Sequence, residues 1–164
     1  MSLEWKNVVL KDILSEKGYI RGPFESALKR NEMKTESIPV YEQQNAIYDT
    51  WTFRYYIDED KYESLKRFTT YTNDLIISCS GTVEKVSIIK ENDPKGIISQ
   101  ALLTLRVNDK LIIPEYLKYF FSSYEGYNSL ASRSTGSVQV NILKRAAIEE
   151  IPLKLSPIET QDNC

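Results

Sequence analysis

Histidine is absent from the 164-residue sequence, and cysteine occurs only at Cys79 and Cys164. Without an imidazole side chain, Ser-His-Asp triads, Cys-His pairs and zinc sites with histidine ligands are all excluded. The two cysteines lie far apart and follow no secretory hydrophobic leader, so we expect free thiols in a cytoplasmic protein. These absences remove the side chains on which many hydrolases and zinc proteins depend.

Neither sign of charge dominates, because 21 basic residues stand against 23 acidic ones for a net charge of −2. Phosphate neutralisation supplies most nonspecific affinity for nucleic acid, so a chain of this charge needs local basic patches to bind DNA. No apolar run approaches the roughly 20 residues of a membrane span, so we expect no membrane partner. The length and the 41% hydrophobic content predict one soluble domain with a packed core.

β-branched and apolar runs predict a sheet in the middle of the chain. Residues 74–79 and 86–89 predict two adjacent strands joined by a tight loop, and residues 97–107 predict a longer strand. Residues 38–41 are a further short strand candidate. The segment 43–56 mixes amides with aromatic side chains, which favours another strand that presents polar side chains.

The most distinct helix signal begins at Pro114, which stands where a first helical position would. Apolar side chains follow at one-face spacing, at Tyr116, Leu117, Phe120, Phe121 and Tyr124. This face is expected to cover the sheet. The acidic stretch from Asp58 is typical of a solvated face or a helix start. Ser156, Pro157 and Glu159 form a capping box that predicts another helix.

Two segments carry local positive charge suited to an anion. Residues 16–34 hold five basic and three acidic side chains, a net charge of +2. Residues 126–148 contain no acidic side chain, and their net charge of +3 comes from Arg133, Lys144 and Arg145. The second segment includes the loop 132–141, which is rich in hydroxyls and amides.

Several short segments share an order and a spacing that extend over nearly the whole chain. They are Gly22–Phe24 with Ala27–Lys29, Ile38–Tyr41 with Gln44–Asn45, Ser78–Thr82, Ile98–Leu102, Gly136 through Asn141, and Ile151 through Gln161. Together they resemble the specificity subunits of type I restriction-modification systems. The chain departs from that pattern at Glu25 and Glu84, where glycine is usual, and in 155–157, which replaces a more proline-rich run.

The resemblance implies an α/β fold of the α+β type, in which a mixed twisted β-sheet is packed by a few helices. It implies a target recognition domain at 1–155 that binds one half of a split double-stranded DNA target. Residues 156–164 would be the start of a truncated spacer helix or a tail. The implied partners are the methyltransferase and restriction subunits, with a second recognition domain or a second copy as a further partner.

Catalysis is implied to lie in those partner subunits, so we expect no enzyme activity, no metal and no cofactor in this chain. Methyl transfer from S-adenosylmethionine needs a glycine-rich loop and an Asn/Asp-Pro-Pro-aromatic motif, and the sequence contains neither. A nuclease remains an alternative, with Asp74, Glu84 and Lys85 as a metal-binding set, although charges commonly stand at strand ends. Another alternative is a truncated or silent recombination cassette that serves only as an assembly or protein-interaction module.

Base readout needs arginine or lysine for guanine and asparagine or glutamine for adenine, while phosphate contacts fix the register. We predict a DNA-facing surface made of Lys29, Arg30, Gln44, Asn45, Arg133, Ser134, Ser137, Gln139 and Asn141. Ser80 and Thr82 are predicted to approach phosphate through the backbone of their loop, although a plain hairpin turn is an equal alternative. Asn141 also suits a helix cap, and Gln100 suits a strand edge.

Overall fold

The computed structural model describes residues 4–23, 28, 37–78, 85–133 and 145–161. In chain order the elements are β1 (Lys6–Val9), α1 (Leu10–Ile13), β2 (Leu14–Arg21), β3 (Ile38–Tyr41), α2 (Gln43–Tyr48), β4 (Tyr56–Ile57), α3 (Glu59–Ser64), a 3₁₀ helix (Lys66–Phe68), β5 (Leu75–Ser78), β6 (Val86–Ile88), β7 (Ile97–Ile98), β8 (Leu102–Val107), α4 (Pro114–Ser122), α5 (Tyr124–Arg133), α6 (Arg145–Glu149), β9 (Pro152–Leu155) and α7 (Ile158–Gln161).

The strands of the described residues form three sheets. The largest has the order β2-β8-β5-β6, and every neighbouring pair in it is antiparallel. In the second sheet β3 lies between β4 and β7, antiparallel to β4 and parallel to β7. The third sheet pairs β1 with β9. The expected mixed α/β fold is therefore confirmed.

The central strands β5 and β8 each carry apolar residues at consecutive positions, because both of their faces are buried over that stretch. In β5, Leu75 and Ile77 join the larger core with α4, while Ile76 joins a second core on the other face. β8 divides in the same way, with Leu103 and Leu105 on one side and Leu102 on the other. Alternate side chains of a strand point to opposite faces, so each strand needs apolar residues at consecutive positions.

The two strands predicted at 74–79 and 86–89 are confirmed as β5 and β6, which pair antiparallel. The residues that connect them, 79–84, lie outside the described part of the chain. The single long strand predicted at 97–107 is wrong. The chain forms β7 and β8 instead, because the Leu102 N–H donates to the Ser99 carbonyl at 3.1 Å and closes a turn.

The strand predicted at 43–56 is also wrong, because α2 occupies its first half. The Asn45 side chain accepts a hydrogen bond from the Glu42 N–H at 2.7 Å, which satisfies a backbone donor at the start of the helix. Asp49 ends the helix in the left-handed region, at φ 53°. Local capping by asparagine and aspartate therefore overrides the aromatic content of this segment.

The helix predicted from Pro114 is confirmed as α4, and Tyr116, Leu117 and Phe121 on its inner face join the larger core. Tyr124 was expected on that face but is 87% exposed. The reason is that extended backbone at Ser123 ends α4, so Tyr124 begins α5 instead. The helix start predicted at Asp58 is confirmed, because its carboxylate accepts from the Lys61 N–H at 2.8 Å.

The helix predicted after Ser156 is confirmed as α7, but its anchor differs from the expected one. The buried Ser156 hydroxyl has no hydrogen-bond partner among the described residues, so the serine cap does not form. The buried Gln161 side chain holds the helix instead. It accepts from the Ile113 N–H at 2.8 Å and donates to the Leu111 and Ser156 carbonyls, each at 2.9 Å.

A partly buried ion pair ties the 71–74 turn to β8. Arg106 Nε and Nη2 each donate to a different oxygen of Asp74 at 2.8 Å, and the guanidinium lies 4.7 Å from the centre of the Tyr71 ring. Burial raises the pKa of Asp74, although Arg106 and the Tyr71 N–H partly offset this, and hydrogen bonding to Asp74 raises the pKa of Arg106. Two charge-assisted hydrogen bonds of this length indicate an ion pair at neutral pH.

Replacement of Asp74 by asparagine is expected to lower the free energy of unfolding by about 2 kcal/mol, since the ion pair is lost in a partly buried site. Arg106 is 31% exposed, which keeps the cost below that of a fully buried pair. Urea denaturation measures the change, with Asp109→Asn on an exposed turn as the control, expected within about 0.5 kcal/mol of wild type. Unchanged stability together with lost metal-dependent DNA cleavage would favour the nuclease alternative.

Candidate nucleic-acid interface

The structure describes the side chains of two predicted DNA-facing residues, Gln44 and Asn45. The others lie outside the described residues and stay predictions: Lys29, Arg30, Ser80, Thr82, Ser134, Ser137, Gln139 and Asn141. Arg133 ends α5, but its side chain is likewise outside the described part. The described part of the candidate interface therefore consists of α2 and the elements beside it.

Asn45 lies in the interior, with 0% of its surface exposed. Its oxygen accepts from the Glu42 N–H, and its Nδ2 donates to the Thr50 carbonyl at 2.7 Å and the Thr52 carbonyl at 3.2 Å. The side chain joins the first turn of α2 to the loop that follows the helix. Because its amide is buried and hydrogen-bonded to three backbone groups, Asn45 has a structural role here and is not available to a ligand.

Gln44, the preceding residue, has a different environment. It lines an open pocket of about 560 Å³, and its Nε2 lies 3.5 Å from the Thr52 carbonyl, which is too long for a good hydrogen bond. We call this space the amide pocket, and we define it by Glu42, Gln43, Gln44, Tyr48, Arg54 and Gln100. Sequence reasoning did predict Gln44, and the structure places it in a cleft that is open to a ligand.

Gln100 enters the amide pocket from the turn between β7 and β8. This turn approaches β2 so closely that a Cβ on Gly22 would lie 1.8 Å from the Ser99 carbonyl oxygen. The Gly22 N–H donates to the Leu102 carbonyl at 3.0 Å, and the Ala101 N–H donates to the Ser99 hydroxyl at 3.3 Å. Glycine at position 22 therefore lets two backbones meet and holds the turn that carries Gln100.

A partly buried aromatic cluster at the end of β3 shares a core with Ala46 of α2. Tyr41 packs edge-to-face against Phe53 at 4.8 Å and Trp51 at 5.6 Å between ring centres. Its hydroxyl donates to the Pro94 carbonyl at 2.5 Å. Burial, followed by the charge of Asp93, raises the pKa of Tyr41 well above its ordinary value, so the hydroxyl stays protonated. The cluster gives α2 and the 49–53 loop a rigid support.

The two charged side chains of the amide pocket neutralise each other. Arg54 Nε donates to Glu42 Oε2 at 3.2 Å, and Nη2 donates to the same oxygen. The Arg54 guanidinium also lies 5.2 Å from the centre of the Tyr55 ring. Hydrogen bonding to Glu42 raises the pKa of Arg54. Apart from this ion pair, the polar side chains that line the pocket are neutral amides and hydroxyls.

Leu28 connects the amide pocket to the first basic segment of the sequence. It is buried, and it lines the pocket although its neighbours in the chain lie outside the described residues. Lys29 and Arg30 follow it directly in the sequence. The predicted basic residues therefore directly follow, in sequence, a residue that lines the pocket.

Other kinds of site have less support. Searching the described ranges finds no group of three or more histidine, cysteine, aspartate or glutamate residues that could hold a metal ion. Asp74, proposed for a nuclease, is engaged by Arg106, and Glu84 lies outside the described residues. Among the helices that the structure describes, none combines the length and apolar character that crossing a membrane demands.

The fold is similar to solved subunits of type I restriction-modification systems. The HsdS subunit from Thermoanaerobacter tengcongensis matches with a TM-score of 0.66 at 16% identity, over 97% of this chain and 35% of that chain. A structure on the complex assembly and conformational transition of the type I R-M system matches with a TM-score of 0.71 at 18% identity, over 97% and 36%. The S subunit from M. genitalium matches with a TM-score of 0.61 at 11% identity, over 94% and 35%.

These matches define the class of fold. The chain has a mixed α/β fold that is shared with one part of type I specificity subunits, and it spans about a third of the length of the solved chains. No model of a protein family and no curated protein matches the sequence. At these identities the comparison establishes the fold, and the activity has to be argued from the site.

Of the six residues that define the amide pocket, sequence reasoning predicted only Gln44 as a site residue. Gln100 was interpreted as a residue at a strand edge, and Arg54 was not singled out. The polar pair Ser99 and Gln100 inside the apolar run 97–107 was the signal for a turn at Gln100. Nothing in the sequence marks Arg54, because its position depends on how the 49–55 segment folds back against Glu42.

Replacement of Asn45 by alanine is expected to lower the free energy of unfolding by about 3 kcal/mol, because three backbone groups lose their hydrogen-bond partner. Replacement of Gln44 by alanine is expected to change it by less than about 0.5 kcal/mol, because that side chain lies in an open pocket. Urea denaturation followed by circular dichroism measures both values. Equal losses for the two variants would contradict the structural role of Asn45 and the availability of Gln44.

Proposed function

We propose that the chain is a sequence-specific DNA-binding target recognition domain of a type I restriction-modification specificity subunit. In this role it reads one half of a bipartite double-stranded target and directs the methyltransferase and restriction subunits to that target. The recognition domain would occupy 1–155, and 156–164 would begin a spacer helix or tail. The partner subunits would catalyse methylation and cleavage in the cytoplasm, and this chain would contribute binding alone.

The observation that carries this proposal is the extent of the structural likeness. The match to the type I R-M structure covers 97% of this chain with a TM-score of 0.71, so it includes the core, the sheets and the elements around the amide pocket. It covers only 36% of the other chain, as expected if this fold is one module of a longer subunit.

The chemistry of the amide pocket supports base readout more than charge-driven binding. The chain has a net charge of −2, and the ion pair of Glu42 with Arg54 leaves the pocket close to neutral. Nonspecific binding depends on unpaired lysine and arginine side chains, so we expect it to be weak. Glutamine side chains at a rigid surface instead suit hydrogen bonds to base edges.

The two basic segments would complete this surface. Lys29 and Arg30 follow Leu28 at the pocket, and the loop with Arg133, Ser134, Ser137, Gln139 and Asn141 is proposed to bind the same duplex. The Ser80–Thr82 loop would contact phosphate. In this arrangement the basic residues position the backbone and the amides select the bases.

A second candidate is an assembly module that binds the other subunits without reading DNA. It is favoured by two exposed tyrosines near the junction of α4 and α5, Tyr119 at 64% and Tyr124 at 87%. Tyrosine is enriched at protein interfaces because it offers a large rigid surface with a polar end. Both candidates predict binding to the methyltransferase subunit, and only the first predicts a DNA motif.

Selection from a duplex library with a randomised segment, with and without the cognate methyltransferase subunit, is expected to enrich one short motif. The enriched duplex is expected to bind at least about 100-fold more tightly than a scrambled one, because specific contacts exceed nonspecific binding by several kcal/mol. Fluorescence anisotropy at a fixed salt concentration measures the ratio.

The control is the double variant Tyr119→Ser with Tyr124→Ser, which leaves the amide pocket intact. It should retain the motif when tested alone. DNA reading would be rejected and the assembly module favoured if two results occurred together. Neither selection would enrich a motif, and binding to the methyltransferase subunit would be retained by the wild type but lost by the tyrosine variant.

A further inference from the structure

Two glutamines in the amide pocket have unused hydrogen-bonding capacity. Gln100 makes no side-chain hydrogen bond to any residue that the structure describes, and Gln44 has only the 3.5 Å contact with Thr52. Each side chain can accept through its oxygen and donate through its nitrogen. Asn45, the next residue in the same helix, differs because its side-chain amide is already hydrogen-bonded to three backbone groups.

The positions of both glutamines are set before any ligand arrives. Gln44 lies in the first turn of α2, which Asn45 and the Tyr41 cluster hold. Gln100 lies in a turn that is closed by the Leu102 N–H and packed on Gly22. Because the backbone on both sides of the pocket is held in place, less conformational entropy is lost when a ligand binds.

The arginine that guanine recognition would use is already engaged at this pocket. Arg54 contacts Glu42 through Nε and Nη2, and Glu42 is only 13% exposed. Moving Arg54 to a base would leave this mostly buried carboxylate without its cation, which is unfavourable. Gln44 and Gln100 remain as amides that make no close side-chain hydrogen bond to the described residues and can read a base edge.

Adenine is the base whose major-groove edge matches a primary amide. Its N6 amino group donates to an amide oxygen, and its N7 accepts from an amide nitrogen, so one glutamine forms two hydrogen bonds with it. We propose that Gln44 and Gln100 are specificity-determining residues, each of which reads the adenine of an A·T pair in the half-site. This inference rests on the proposed function and names the bases that the same surface selects.

The test uses the full chain and single isosteric variants, Gln44→Glu and Gln100→Glu, in the same library selection. A carboxylate only accepts hydrogen bonds, so it suits the amino group of cytosine in place of adenine. Each variant is expected to change a different motif position from A·T to C·G, with the preference for adenine there reduced about tenfold or more. The other motif positions are expected to stay the same.

Asn128→Asp is the matched control, because it makes the same amide-to-carboxylate change on the exposed surface of α5. It is expected to weaken DNA binding only through the repulsion of one added negative charge and to leave every base preference unchanged. Gln44→Ala and Gln100→Ala provide the second set, which should lose the adenine preference without gaining cytosine. Thermal midpoints near wild type confirm that these variants fold.

The outcomes separate this inference from the proposed function. Enrichment of a motif whose base preferences are the same in wild type and in all four glutamine variants would overturn the adenine assignment and leave DNA recognition standing. Uniform weakening of all sequences by the glutamine variants would also overturn it, since that result indicates phosphate contacts. Enrichment of no motif by the wild type would overturn both.

Discussion

Burial of β5 and β8 on both faces is the constraint on which the rest of the structure depends. One face of this pair packs under α4, and the other packs against the cluster that includes Tyr41 and Ile98. A strand pair enclosed on both sides cannot slip in register without moving side chains from one core to the other. The elements that border the amide pocket are therefore fixed with respect to the sheet.

The amide pocket combines a rigid backbone with side chains that are available to a ligand. Asn45 and Gln44 are adjacent in the chain, yet one amide is consumed in holding the loop and the other is presented to solvent. A similar division holds for Gly22 and Gln100, where the missing side chain of one allows the turn that positions the other. A binding site is preorganised in this way when the supporting groups are hydrogen-bonded within the protein and the groups that face a ligand are not.

Much of the fold was predictable from the sequence, because buried strands and α4 carry strong periodic signals. The runs at 74–79 and 86–89 and the helix from Pro114 were predicted correctly. The failures at 43–56 and 97–107 arose where short polar residues close turns and caps, since a local hydrogen bond there outweighs apolar content. Gln44 was predicted as a site residue, whereas Gln100 and Arg54 depend on long-range packing that no local pattern records.

The pairing of β1 with β9 has a consequence for how such a unit can be exchanged. Lys6 lies opposite Leu155 and Val9 lies opposite Pro152, so chain that enters at β1 and chain that leaves at β9 do so side by side. Gln161 then fixes the direction of α7 against the loop before α4. Adjacent entry and exit points let a domain be replaced within a longer polypeptide without displacing the segments on either side. Under the proposed function, such an exchange would alter selectivity by wholesale substitution as well as by point mutation.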